Sequence, residues 1–131
     1  MNEVARKAAG SLRSRSRLRL RHSTLGLRGE LDQAALSELG DRLLRLLDQS
    51  CVWVLLDFTQ VEHLDYRGVP ALVARADAFR RAGGDLKVCG LSPYLQAVLR
   101  AGGAHGAFEV FRDASDARAA MTSPFEGPSG A

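Results

Sequence analysis

The sequence predicts an α/β domain: one mixed, mostly parallel β-sheet packed by about four helices. Three observations carry that prediction. Cys51–Leu56 is an almost unbroken apolar run with β-branched and aromatic residues, short enough for a strand and apolar enough to be covered on both faces. Runs of this kind alternate with longer stretches whose apolar residues recur at helical spacing. The connections between successive strands are themselves of helical length, which calls for parallel pairing and right-handed crossovers. A chain of 131 residues, 46% apolar and 25% charged, has the length and balance for one domain with a real core.

Charge divides the chain unevenly. Residues 1–28 hold eight Lys or Arg and one acid, a net of +7, whereas residues 29–131 hold ten against fourteen, a net of −4. Residues 1–12 read as a basic leader, loose or helical. Arg13, Arg15, Arg17, Arg19 and Arg21 then alternate with Ser14, Ser16, Leu18, Leu20 and His22. On a strand this sets the guanidinium groups on one face and the leucines on the other. The preferred reading is a solvated strand whose charge discourages edge pairing. A patch for nucleic acid or acidic lipid is the alternative, but no aromatic residue lies among the arginines to stack on a base, so nucleic acid is not an expected partner.

A short turn at His22–Thr24 predicts that this strand lies antiparallel to the next, Leu25–Arg28. Gly29 is read as a turn and Asp32 as the N-cap of the first helix. Leu36, Leu39, Leu43, Leu46 and Leu47 form its inward stripe, with Glu38, Asp41, Arg42, Arg45 and Asp48 on other faces. The leucines span too few heptads for a zipper. Gly40 inside this helix costs about 1 kcal/mol against Ala.

After the central strand, Asp57 is read as its end, followed by an exposed loop holding Glu62 and His63. Asp65 stands before Val69, Leu72, Val73, Ala76 and Phe79, which have helical spacing, so it is a candidate N-cap. The helix is predicted from about Tyr66 to Ala82, with Pro70 in its first turn and Gly83-Gly84 as its stop. Asp85–Leu91 predicts a further strand. Ser92-Pro93 opens a helix whose core residues are Leu95, Val98 and Leu99, and Gly102-Gly103 closes it. Ala107–Phe111 is a short last strand, and Asp113 or Ser115 caps a last helix reaching about Met121. The domain is thus expected over 13–121, with 122–131 a disordered tail. Strand, loop and capped helix place Asp65 and its neighbours at the carboxyl end of the central strand, where open α/β sheets present binding surfaces.

Chemistry-bearing constellations are few. His22, His63 and His105 are scattered with no metal-ligand spacing to Cys, Asp or Glu. There is no Gly-x-Ser-x-Gly elbow and no Walker loop. The glycine pairs follow helices rather than open them, so they are not phosphate cradles. Glu62, His63 and Asp65 lie close in sequence and keep an acid/base site formally open. Cys51 and Cys89 sit in apolar strand-like runs and read as small buried hydrophobes in a reducing compartment, with a disulfide the alternative if their strands are neighbours. No apolar run is long enough to span a membrane and none of signal-peptide length follows the basic start, so the expected location is the cytoplasm.

Asp65-Tyr66-Arg67-Gly68 after a buried strand resembles the Asp-Ser-Ser-Gly that opens a helix in the STAS domain family, named for sulphate transporters and anti-sigma factor antagonists. Gly29-Glu30-Leu31-Asp32 resembles the family's Gly-Glu-Leu-Asp before its first helix. Gly83-Gly84 with Leu86-Lys87-Val88-Cys89-Gly90-Leu91-Ser92-Pro93 resembles its later strand and turn. The resemblance covers roughly Ser14 to Met121 and implies a non-enzymatic domain without a cofactor, resembling bacterial anti-sigma factor antagonists. It implies partner binding through Asp65, Tyr66, Arg67 and Gly68, with Glu30, Asp32 and His63 nearby. The implied partners are an anti-sigma factor kinase, a signalling scaffold or a transporter subunit. In the antagonists the second Ser of the motif accepts phosphate. Arg67 holds that place here, so the serine switch is expected to be absent. The alternative implied by the family is a small-ligand or nucleotide-sensing module, with Arg67 holding an anion, or an accessory cytoplasmic subunit of a transport complex.

Overall fold

The structure, a computed structural model, describes residues 22–104 and 106–122. The leader, the alternating-arginine strand up to Arg21, His105 and the tail from 123 onward lie outside the described residues. The elements run β1 (His22–Leu31), α1 (Gln33–Asp48), β2 (Trp53–Leu64), a 3₁₀ turn (Tyr66–Gly68), α2 (Val69–Arg81), β3 (Asp85–Cys89), α3 (Pro93–Ala101), β4 (Val110–Phe111) and α4 (Ala114–Thr122). The sheet order is β1-β2-β3-β4, every described pair is parallel, and helices cover both faces. The expectation of an antiparallel strand at Arg13–Arg21, which would make the sheet mixed, lies outside the described residues.

β2 is covered on both faces because its apolar run does not alternate. Val54, Leu56 and Phe58 point into the large core built with Leu36, Leu39 and Leu43 of α1, Val69, Leu72, Ala76 and Phe79 of α2, and Leu95 and Leu99 of α3. Leu55 points the other way and meets Cys89, Ala117 of α4, Trp53 and Phe111. Phe58, Phe79, Leu43 and Leu55 are fully enclosed.

Several sequence expectations are corrected. His22–Thr24 is not a turn, and Gly29 is not one either: both belong to β1, which is ten residues long. Gly29 takes φ +75° beside an irregularity in the β1–β2 register, a left-handed conformation that admits glycine without strain. Asp57 does not end β2. The strand runs on to Leu64 because β1 continues beside it, pairing Arg28 with Gln60, Gly29 with Val61, Glu30 with His63 and Leu31 with Leu64. β3 stops pairing at Asp57, so from there on β2 is held on one side only. Asp57 turns its carboxylate back onto the strand, accepting from the Thr59 amide at 2.9 Å and the Thr59 hydroxyl at 2.6 Å. The later strands are shorter than the sequence suggests, ending at Cys89 and confined to Val110–Phe111.

The caps are where the sequence placed them. Asp32 Oδ1 accepts from the Ala35 amide at 2.8 Å, Ser92 Oγ from Leu95 at 3.1 Å, and Asp113 Oδ1 from Asp116 at 2.9 Å. Cys51 and Cys89 are buried free thiols. Gly40 is buried and its missing side chain has a neighbour: the Arg75 guanidinium of α2 lies over it, 3.3 Å from where a Cβ would stand. No helix among the described residues is long and apolar enough to cross a membrane.

Candidate functional site

The carboxyl ends of β1 and β2 bring the sequence-predicted residues together. The Asp65 amide donates to Leu31 O at 2.9 Å, which ties the exit of β2 to the end of β1. The helix does not begin at Tyr66; a 3₁₀ turn comes first, and α2 follows from Val69 with Pro70 at its start. Asp65 caps that turn through Oδ1, which accepts from the Arg67 amide at 2.9 Å.

The forked contact expected between Arg67 and a partner is made inside the turn. Arg67 Nε donates to Asp65 Oδ1 at 3.0 Å and its Nη2 to Asp65 Oδ2 at 2.8 Å, a forked pair closed within the turn itself. The Nε–Nη2 edge of the guanidinium is therefore in use, which leaves its Nη1 end facing outward for any external acceptor. The Arg67 side chain is still 65% exposed, while Asp65 is 14% exposed, so the turn shows a cation outward with its counter-charge tucked beneath. The same contacts pull the Asp65 carboxyl down to about 2, the side-chain bonds from Arg67 first and its amide next. An acid held so low remains ionised near neutral pH and is a poor proton acceptor, so Asp65 does not suit general-base work.

His63 is also relocated. It lies in β2 rather than a loop, and its Nδ1 is 2.5 Å from the hydroxyl of Tyr94 in the first turn of α3, with the rings stacked at 5.9 Å. Tyr94 was missed at the sequence level. Its signal was an aromatic one step off the Leu95, Val98 and Leu99 stripe, placed directly after a cap. Tyr66 and Tyr94 are among the few exposed large apolar side chains, at 55% and 49%. They flank a cleft of about 350 Å³ that His63, Asp65, Arg67 and Val98 help to line. A second cleft of about 280 Å³ lies between α1 and α2, lined by Gln33, Ser37, Gly40, Gly68 and Arg75, and again by Arg67. Arg67 is the ridge between them.

Gly68 serves packing at this ridge. It faces Leu36 of α1, whose Cβ would lie 3.3 Å from an added Cβ, so the turn can lie close on α1. Glu30 is exposed and pairs in register with His63, at the same end of the sheet but in neither cleft. Asp32 lines neither cleft, and its carboxylate is engaged in capping α1. Glu62 joins no acid/base arrangement with His63 and Asp65: His63 bonds Tyr94, and Asp65 bonds Arg67. Among the described residues no cluster of His, Cys, Asp and Glu could hold a metal ion.

Comparison with known proteins agrees with this architecture. No curated protein sequence matches the chain. Among solved structures, the unphosphorylated form of the anti-sigma factor antagonist SpoIIAA superposes with a TM-score of 0.61 at 17% identity, over 78% of this chain and 90% of that one. The STAS domain of a SulP transporter from Vibrio cholerae gives 0.62 at 18% identity, over 81% and 84%. The murine anion transporter Slc26a9 gives 0.65 at 15% identity, over 76% of this chain but only 17% of the transporter. At these identities the likeness is one of fold. The family itself is shown by sequence: the family model described as the STAS domain matches residues 16–117, and the chain belongs to the STAS domain family.

Proposed function

We propose that this protein is a non-enzymatic regulatory module that binds another protein through the Asp65–Gly68 turn, in the manner of an anti-sigma factor antagonist but without serine phosphorylation as its switch. The observation that carries the reading is the forked Asp65–Arg67 pair, set between two clefts at the carboxyl end of β2. A phosphate on this turn would add up to about two negative charges. Arg67 offers no hydroxyl and instead neutralises the one carboxylate present. The turn is thus held permanently in one charge state, with exposed Tyr66 and Tyr94 beside it as the aromatic anchors typical of protein interfaces.

The partner classes are those the family supplies: an anti-sigma factor with a kinase-like fold, a signalling scaffold, or the cytoplasmic part of a transport complex. The compartment is the bacterial cytoplasm, and the outcome for the first class is control of transcription. A small-ligand or nucleotide sensor built on Arg67 receives less support, because Asp65 takes one fork of the guanidinium and offsets its charge.

The test is Arg67→Glu, which breaks the fork and sets two carboxylates side by side in the turn. Because Arg67 is largely exposed, the melting temperature should fall by only a few degrees. Capture of the partner from the native host should drop at least tenfold, since a reversed charge in a recognition patch is unpaired or faces its like. A folded variant that retains every partner of the wild type would show that the turn is not the interface.

A further inference from the structure

The cleft between α1 and α2 holds an arginine with an unmet need. Arg75 lies across α1 at the point where α1 has no side chain, so that a Cβ on Gly40 would stand 3.3 Å from its Nε and 3.6 Å from its Nη2. The Nε–H is closed off from solvent and has no hydrogen-bond partner among the described residues. Buried N–H groups without a partner are rare, and those of a permanent cation are the most costly to leave unmet. The other charged residue lining the cleft is Arg67, also a cation, and no carboxylate lines it. The remaining wall includes apolar Leu36, Ala71 and Leu72, with Gln33 and Ser37 as its neutral polar residues.

We infer that this cleft receives an acidic side chain, Asp or Glu, of the protein partner, with Arg75 as its anchor. The inference rests on the reading of the Asp65–Gly68 turn as a docking surface and names the chemistry of what docks. Arg75 complements a carboxylate, because Arg67 at the rim is already paired with Asp65 and no acid lines the cleft, and the apolar wall suits the methylene stem that carries one. A carboxylate entering from the rim draws the guanidinium off Gly40 and receives Nε and Nη2 together as a fork. Gly40, unfavourable in a helix interior, is what lets Arg75 rest there beforehand.

The experiment selects peptides from a random displayed library on the immobilised full chain and measures their affinity by fluorescence anisotropy. The peptides should share an Asp or Glu whose change to the amide weakens binding at least tenfold. Arg75→Gln should cost the same factor while melting like the wild type, and the two changes together should cost no more than either alone. Ser37→Glu puts a carboxylate in the chain itself, one helical turn from Gly40; it should raise the melting temperature and exclude the peptides, while Ser37→Gln still binds them. Peptides without a shared acid, or unimpaired binding to folded Arg75→Gln, overturn the inference. So does displacement by millimolar inorganic phosphate that shifts the Arg75 Nε–H resonance, which makes the cleft a free-anion site. Dependence on Arg67 without Arg75 leaves the turn as an interface and removes the cleft from it. Dependence on Arg75 without Arg67 keeps the cleft and removes the turn.

Discussion

Gly102 and Gly103 together end α3, yet the structure gives them different reasons, and single alanine substitutions separate the two. Gly102 has an ordinary φ of −85°, but an added Cβ would stand 2.5 Å from Val69 Cβ and 2.8 Å from Tyr66 O. Carbon atoms in contact prefer about 3.5–4.0 Å, so roughly 1 Å must be found between α3 and the turn. Val69 is fully buried at the start of α2 and its Cβ is fixed to the backbone, so no rotamer change supplies that space. Overpacking of this kind typically costs about 1–3 kcal/mol. For a domain of this size that is a melting point lower by roughly 5–12 °C. Gly103 is the converse, with φ +93° and nothing within 4 Å of its Cβ position. Gly103→Ala should cost only the left-handed backbone strain, about 1–2 kcal/mol, with no push on any neighbour. Thermal unfolding measures the losses, and amide chemical shifts show where each is felt. Gly102→Ala should move the Tyr66–Gly68 resonances and Gly103→Ala should leave them in place. Undisturbed turn resonances in Gly102→Ala would refute the argument that α3 presses the turn into position.

Three further outcomes follow from the charges. Asp65, lowered from 3.8 to about 2, adds stability that is present above its unfolded value and lost as pH falls through about 2. The gap in unfolding free energy between wild type and Asp65→Asn should therefore narrow across that acid window, and a constant gap would mean the fork adds nothing. Cys89 is raised from 9.0 to about 11, by burial first and the Asp57 charge next. Its neutral thiol favours the fold below pH 9.0, and that advantage disappears as pH rises through about 11; Cys89→Ala should flatten the alkaline limb measured by urea unfolding. Lys87, 6% exposed, reaches Glu109 at 2.6 Å and Asp85 at 3.3 Å and lies 5.7 Å from the Trp53 ring. Its removal strands no acid, because Glu109 is 57% exposed and Asp85 keeps Arg80 and the Leu86 amide. Lys87→Met should stay within about 1 kcal/mol of wild type and Lys87→Ala should cost about 2 kcal/mol or more, as packing and not charge dominates. Equal losses by denaturant unfolding would reverse that assignment.

Local rules were legible in the sequence because they act within a few residues. Asp32, Asp65 and Ser92 cap where a short acceptor precedes a helical stripe, since the donor amides lie two or three residues on. Leu36, Leu39 and Leu43 point inward because helical periodicity alone selects that face. The run at Cys51–Leu56 announced a strand covered twice, and Leu55 and Leu56 do enter different cores.

What the tertiary structure decided are the features that need a partner distant in sequence. Asp57 read as an end because it breaks the apolar run, yet β2 continues while β1 supplies a ladder on one side. His63 read as a loop residue until Tyr94, thirty-one positions away, came within hydrogen-bond reach. The Asp65–Arg67 fork is only two residues wide, but neither side chain is bound to choose the other over solvent. What favours the pair is the turn that holds both of them against the end of β1 and the face of α1. Gly40 could be read only as a cost, because what occupies its missing side chain is Arg75 from another helix. Periodicity and capping thus indicated the helices and the central strand, with the candidate site at that strand's carboxyl end. Packing between elements, which no spacing rule encodes, decided which charges face outward there.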